Sequence, residues 1–286
     1  MLTKRLCATA LTAAALMCAA AVTALPGVAS AATSGNVPLP GGPIIRAATS
    51  GNSSIPTVSL NWSGYAATSA KKFTYVHSTF VQPAITCPGL KNEWTSNWVG
   101  LDGFNNGTVE QDGTFAHCGG AQSTTPVYQA WYEMYPANSV NVFRVHPGDV
   151  IDTAVSYAHG QFSLTVSDLT TGKSASDVAA CATCERASAE WIIERPALCN
   201  NALTKCFLTR LADFGTSTMG GTEARVAGGS TKGIAGFLNY PINMVTPLAS
   251  GGFISLDTVG PLSGKTFTAT WDRSGGTVPI TLGTAR

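Results

Sequence analysis

Phe162-Ser-Leu-Thr-Val-Ser-Asp168 places an apolar side chain at every second position, and Asp149-Val-Ile-Asp-Thr-Ala-Val-Ser-Tyr157, just before it, does the same with Gly160 between the two. A period of two puts all the apolar groups of an extended chain on one side, whereas a helix would need them every three to four residues. Working outward, the same alternation recurs over residues 73–82, 96–101, 127–135, 190–194, 224–227 and 266–271. These segments are rich in Val, Thr, Phe, Tyr and Trp, with Gly, Pro or Asn between them, and no stretch of a dozen residues holds a capped helical period. The spacing of the turn signals predicts an all-β fold: an antiparallel β-sandwich of the lectin- or glucanase-like jelly-roll kind over residues 58–286.

Composition agrees with one large core. Of 286 residues 44% are hydrophobic and only 12% charged, and 17 Lys and Arg balance 16 Asp and Glu. That charge density is too low for coiled coils or charged disordered tails, and no basic run offers a footprint for nucleic acid or an anionic membrane. The N-terminus reads as a signal peptide over residues 1–31: Lys4 and Arg5, then the apolar stretch from Leu6 to Val22, then the small residues Ala29-Ser30-Ala31. Its removal leaves no expected membrane contact, and the mature chain is expected to be a secreted, extracellular monomer. Residues 32–57 carry the hexapeptide Ala-Ala-Thr-Ser-Gly-Asn twice, at 31–36 and 47–52, and are too polar to build a core, so they read as a linker or short propeptide. Six cysteines remain after the signal, Cys87, Cys118, Cys181, Cys184, Cys199 and Cys206, an even set that in an exported chain points to disulfides of undetermined pairing. Cys181-Ala-Thr-Cys184 also admits a redox motif, or a four-thiolate zinc site with Cys199 and Cys206, but an oxidising compartment favours bridges over both.

The usual hydrolase signatures are missing: no HExxH, GxSxG or P-loop, and no Asp-Thr-Gly or Asp-Ser-Gly. His77, His117, His146 and His159 stand at spacings that suggest no metal site. What remains is a set of strands in which Trp, Glu and Gln share faces. Strand alternation groups Gln129, Trp131, Glu133 and Tyr135, groups Glu190 with Glu194, and sets Val109 and Gln111 opposite Glu110 and Asp112. A plain solvent face seldom carries so many Trp, and a plain core face seldom carries so many Glu. A polar cleft floored with aromatics accommodates both; the plainer alternative is Trp in the core and Glu and Gln in water.

At these residues the chain resembles the glutamic peptidases, or eqolisins, secreted acid-acting β-sandwich endopeptidases. The resemblance runs from Asn61 to the C-terminus. It rests on Asn61-Trp62-Ser-Gly64, Trp98-Val-Gly-Leu-Asp102-Gly103, Gln111-Asp-Gly113, Trp131-Tyr-Glu133-Met-Tyr135-Pro136, Glu190-Trp-Ile-Ile-Glu194 and Ala212-Asp-Phe-Gly215, in that order. It implies a catalytic pair, Gln111 and Glu194, acting on polypeptides, and a cleft lined or supported by Trp62, Trp98, Asp102, Trp131, Glu133, Tyr135 and Glu190. Glu190 competes with Glu194 for the role of base, and Glu194 is preferred as the Glu that closes its segment. No metal or cofactor is implied. The acidic residue that fungal members carry shortly after the Gln is not matched in Gln111-Asp-Gly-Thr-Phe-Ala-His117. A Glu base suggests a rate maximum at roughly pH 3 to 5, toward the upper part of that range because the mature chain is near neutral. The competing class is a carbohydrate-binding module or a glycosidase with two carboxylates drawn from Glu133, Glu190 and Glu194, in which Gln111 would have no obligatory role.

Overall fold

The computed structural model describes residues 56–200 and 205–280, with the backbone of 37–39 and 44–46. The expected signal at 1–31 lies outside these residues. Everything described below belongs to the unit that begins at Ser34.

Two large sheets stack face to face. The larger runs, edge to edge, Ile44–Arg46, Thr57–Ser59, Leu238–Pro247, Trp62–Thr68, Ser188–Glu194, Glu93–Leu101, Val109–Gly119, Thr125–Tyr135 and Val140–Arg144. The second runs Lys173–Ala179, Gln161–Asp168, Val150–Ala158, Phe73–Val81, Thr216–Val226, Phe267–Trp271 and Asp257–Val259. Nearly all neighbours are antiparallel; Leu238–Pro247 with Thr57–Ser59 is a parallel exception. The β-sandwich expectation holds, and among the described residues the helical content is one 3-10 turn, Ile234–Gly236. A third, small sheet joins Val37–Leu39, Ala197–Cys199, Cys206–Leu208 and Val278–Ile280. Within segment 32–57, read as a linker or short propeptide, Val37–Leu39 pairs into the small sheet and Ile44–Arg46 pairs with Thr57–Ser59 at the edge of the larger one.

The alternation that predicts the strands also fills the layer between the sheets. Phe162, Leu164 and Val166 point inward with Ile151 and Val155 from one sheet, and Tyr65, Val99, Leu101, Trp191 and Ile193 meet them from the other. Ser188–Glu194 is central in its sheet and every residue in it is buried. Its odd positions, Ala189, Trp191 and Ile193, go to this core, so Glu190, Ile192 and Glu194 must take the opposite face. Trp191 Nε1 also donates to the carbonyl of His77 in the facing sheet at 2.8 Å, which satisfies its buried donor. Close approach of the central strands depends on glycine: a Cβ on Gly64 would lie 2.1 Å from the Trp191 carbonyl oxygen, and one on Gly113 2.1 Å from that of Asn97. Three disulfides form, Cys87–Cys118, Cys181–Cys184 and Cys199–Cys206, so neither cysteine of the CxxC motif is a free zinc ligand.

Candidate active site

The outer face of the larger sheet carries a second apolar cluster, Trp62, Trp98, Phe104, Val109, Phe115, Trp131, Ile192, Tyr240 and Ile242 among its members, with Tyr135 packed against it. Trp62 and Trp98 meet edge to face, ring centroids 5.1 Å apart. Into this aromatic floor the strands set polar groups at the positions alternation assigns. Gln111 pairs across the ladder with Glu133, and Gly113 with Trp131. Glu194 pairs with Trp62 on one side and Ser96 on the other. Trp62, Trp98 and Trp131 thus pack on the outer face beside these polar groups, whereas Trp191 goes to the inter-sheet core.

Gln111 and Glu133 are directly bonded: the Gln111 Nε2 donates to Glu133 Oε2 at 2.7 Å. With one donor hydrogen so committed, the carboxamide has a fixed orientation, and its Oε1 is buried without a protein partner, as is Glu133 Oε1. Glu194 is held at both oxygens, Oε1 by Asn61 Nδ2 at 3.0 Å and Oε2 by Trp98 Nε1 at 2.8 Å. Burial pushes Glu194 up to about 7, against the lowering effect of the Trp98 and Asn61 donors. Burial likewise raises Glu133 well above the usual carboxylate range; the Gln111 donor opposes this and the nearby Glu194 charge adds to it.

Glu190 stands in the same cross-strand row as Gln111, since Gly100 pairs with both. Burial raises its carboxyl well above the usual range, and the Asp102 and Glu110 charges reinforce the rise. Asp102, in a left-handed conformation with φ 70°, accepts from the backbone N–H of Arg186 at 2.6 Å and of Ala187 at 2.7 Å, and from Asn106 Nδ2 at 2.8 Å. It pins the loop that enters the Glu194 strand. Of the residues implied to line the cleft, Trp62, Trp98, Trp131 and Tyr135 belong to the outer-face cluster, Glu133 and Glu190 share the cross-strand row of Gln111, and Asp102 holds the loop instead.

Asn61 is the residue that sequence reasoning quoted but gave no role. It lies just outside the Trp62 strand, where alternation says nothing about its direction. Ser59 braces it: Ser59 Oγ donates to Asn61 Oδ1 at 3.2 Å and accepts from the Trp62 N–H at 3.1 Å. Arg195, next to Glu194, is fully buried and anchors its end of the strand by donating to backbone carbonyls of Leu60 at 2.6 Å and Gly276 at 3.0 Å. Among the described residues the one cluster of three metal-ligand types is Glu110 with Cys181 and Cys184, whose sulfurs are bonded to each other.

Residues 60–249 match the model of the Peptidase A4 family. The fold is similar to that of scytalido-glutamic peptidase solved with a peptide-based transition-state analog: 23% identity, TM-score 0.63, covering 74% of this chain and 98% of that one. It is also similar to SCP-B, an eqolisin-family peptidase in complex with the tripeptide Ala-Ile-His, at 22% identity and TM-score 0.61 over 74% and 98% of the two chains. No curated protein matches the chain significantly.

Proposed function

Since the chain belongs to the Peptidase A4 family, the glutamic peptidases, and is an endopeptidase acting on polypeptides, we propose that Gln111 and Glu194 hydrolyse the peptide bond as a dyad without metal or covalent intermediate. The observation that carries this reading is the complementary preparation of the two groups. The Gln111 amide is oriented by Glu133 with its oxygen unclaimed, and the Glu194 carboxylate is gripped by Asn61 and Trp98.

The chemistry follows from what each group can do. Amide hydrolysis needs a water held and deprotonated, an oxyanion stabilised and a proton delivered to the leaving nitrogen. Gln111 Oε1 accepts one O–H of the water and fixes its position. Glu194 accepts the other and takes that proton as the water attacks. The second Nε2 hydrogen of Gln111 is a donor for the oxyanion, in a buried setting where such a bond is worth more than in water. Glu194 then returns the proton to the amine. Glu133 keeps the carboxamide from flipping, and an amide beside the base avoids the repulsion of two adjacent ionised carboxylates. Trp62, Trp98 and Trp131 are buried and pack beneath the dyad, and the partly exposed Tyr135 supplies apolar surface for the substrate. Secretion is part of this proposal, supported by the leader-like N-terminus and the three paired disulfides.

The deciding experiment measures initial rates on denatured casein for Glu194→Gln, Gln111→Ala and Glu190→Gln, with circular dichroism to verify folding. The first two are expected to lose at least about a thousandfold in kcat, in keeping with removal of a group that acts in the transition state. The third is expected to keep activity within about tenfold. An inactive Glu190→Gln beside an active Glu194→Gln would overturn the assignment of the base.

A further inference from the structure

The Cys181–Cys184 bridge sits in the connection between the strands Lys173–Ala179 and Ser188–Glu194. Its two Sγ atoms and a carboxyl oxygen of Glu110 all lie within 4.8 Å of one another. Glu110 is on the face of its strand opposite to Gln111 and fully buried, with Asp102 and Thr108 as polar neighbours but neither in good hydrogen-bond geometry with its oxygens. Both cysteines are only half-buried, so the bridge is reachable from solvent on one side and backed by a buried carboxyl on the other. Peptide hydrolysis uses none of these groups. The bridge closes the shortest loop of the three, a separation of 3 residues against 7 and 31, and so restrains the unfolded chain least. A buried carboxyl so poorly paired is costly, and its placement beside a weakly structural disulfide calls for a chemical reason.

We propose that Cys181, Cys184 and Glu110 form a thiol–disulfide exchange site whose co-substrate is a dithiol reductant. A thiolate of the dithiol attacks one bridge sulfur from the solvent side; a mixed disulfide forms as the Cys181–Cys184 bond breaks, and the electron pair leaves on the other sulfur. Glu110 transfers its proton to that leaving thiolate. The second thiolate of the reductant attacks its own sulfur in the mixed disulfide, releasing the reductant as an internal disulfide and the second cysteine as a thiolate protonated from water. Glu110 recovers from water the proton that the reductant gave up. The net result is one protein disulfide reduced to two thiols and one dithiol oxidised to a disulfide. Exchange is faster when the leaving sulfur departs as a weaker base, and an adjacent acid has that effect. The charged groups around Glu110 are Asp102, Glu190 and Arg186; burial first and the Asp102 charge second push Glu110 up to about 9, so it holds its proton through neutral pH.

The test treats the folded, oxidised protein with dithiothreitol at pH 7, quenches with acid, alkylates and quantifies each bridge by mass spectrometry, for the unaltered chain and for Glu110→Gln. Cys181–Cys184 is expected to open at least tenfold faster than the other two bridges, and Glu110→Gln to slow its opening by about tenfold, the low end of general-acid effects. Simultaneous opening of all three bridges, or an unchanged rate in Glu110→Gln, overturns the proposal. Should Glu110→Gln fail to fold, the unaltered protein is reduced with a water-soluble phosphine across pH 8 to 10, where the phosphine itself does not change protonation. A rate at Cys181–Cys184 that falls as Glu110 ionises supports the site, and a flat profile overturns it.

Discussion

Glu194 illustrates how little of a catalytic group's behaviour lies in its own chemistry. A lone Glu titrates near 4.3, and burial alone would push it far higher; the Trp98 and Asn61 donors bring it back to about 7. Trp98→Phe removes one donor and keeps most of the ring. A charge-assisted bond contributes about 1.5–3 kcal/mol, so its loss is expected to raise the Glu194 value by about one unit or more. The acid limb of kcat/KM on a soluble peptide should then move to higher pH by that amount, and an unshifted limb would show that Trp98 only packs. Strand alternation made Trp131, Glu133 and Tyr135 legible as one mixed face and set Glu190 with Glu194, and the family resemblance singled out Trp98 and the pair Gln111 and Glu194. Asn61 was not legible as a partner, because it stands 133 residues from Glu194 and before the strand where the period of two begins. The register that sets Glu190 level with Gln111 was also hidden, since alternation gives faces and not the pairing of strands.

At the level of elements, the Glu194 strand is positioned from both ends. Arg195 ties its exit to backbone carbonyls, and at its entrance Asp102 accepts two backbone N–H groups and one side-chain amide. Asp102→Ala leaves buried donors unpaired and places a residue without a polar side chain at positive φ, where Asp and Asn are better tolerated. The expected cost is about 3 kcal/mol, a drop in Tm of about 6–12 °C, with Asp102→Asn recovering part of it. Thermal unfolding by circular dichroism measures both, and a loss below about 1 kcal/mol for the alanine variant would show that the loop is held by other contacts. The long strands were legible because each carries its own alternation. The three-residue strands Val37–Leu39 and Ile44–Arg46 were not, because so short a segment is defined by the partner it pairs with rather than by its own pattern. Disulfide pairing was unreadable for the same reason: six cysteines fit many connectivities, and only the folded strands bring Cys87 beside Cys118.

Across the whole molecule, burial has accumulated carboxyls that favour their protonated form. Glu110 is pushed up to about 9, Glu194 and Asp257 to about 7, and Asp112, Glu133 and Glu190 well above the ordinary range, burial being the largest cause in each. A carboxyl whose folded value exceeds its unfolded value binds its proton more tightly in the fold. Its contribution to stability is complete below about pH 4, the unfolded value, and is lost as pH rises toward the folded value. Each such group costs about 1.4 kcal/mol per pH unit between those limits. Stability should therefore fall from pH 5 to pH 8, with a decrease in Tm of at least about 10 °C, the effect of roughly two of these groups. A Tm that is flat or rises over that interval would mean that the carboxyls are ionised in the folded protein. Catalysis is expected to share the acid preference. The water that Glu194 activates donates a hydrogen bond to it, which favours the carboxylate and lowers its working value from about 7. Burial also raises Glu133, and the Glu194 charge adds to the rise, so the two carboxyls resist being ionised together. Rates on denatured casein should peak between about pH 4 and 7, somewhat higher than a solvent-exposed Glu base would give. A maximum above pH 7 would instead require a base that burial does not hold protonated, and would remove Glu194 from that role.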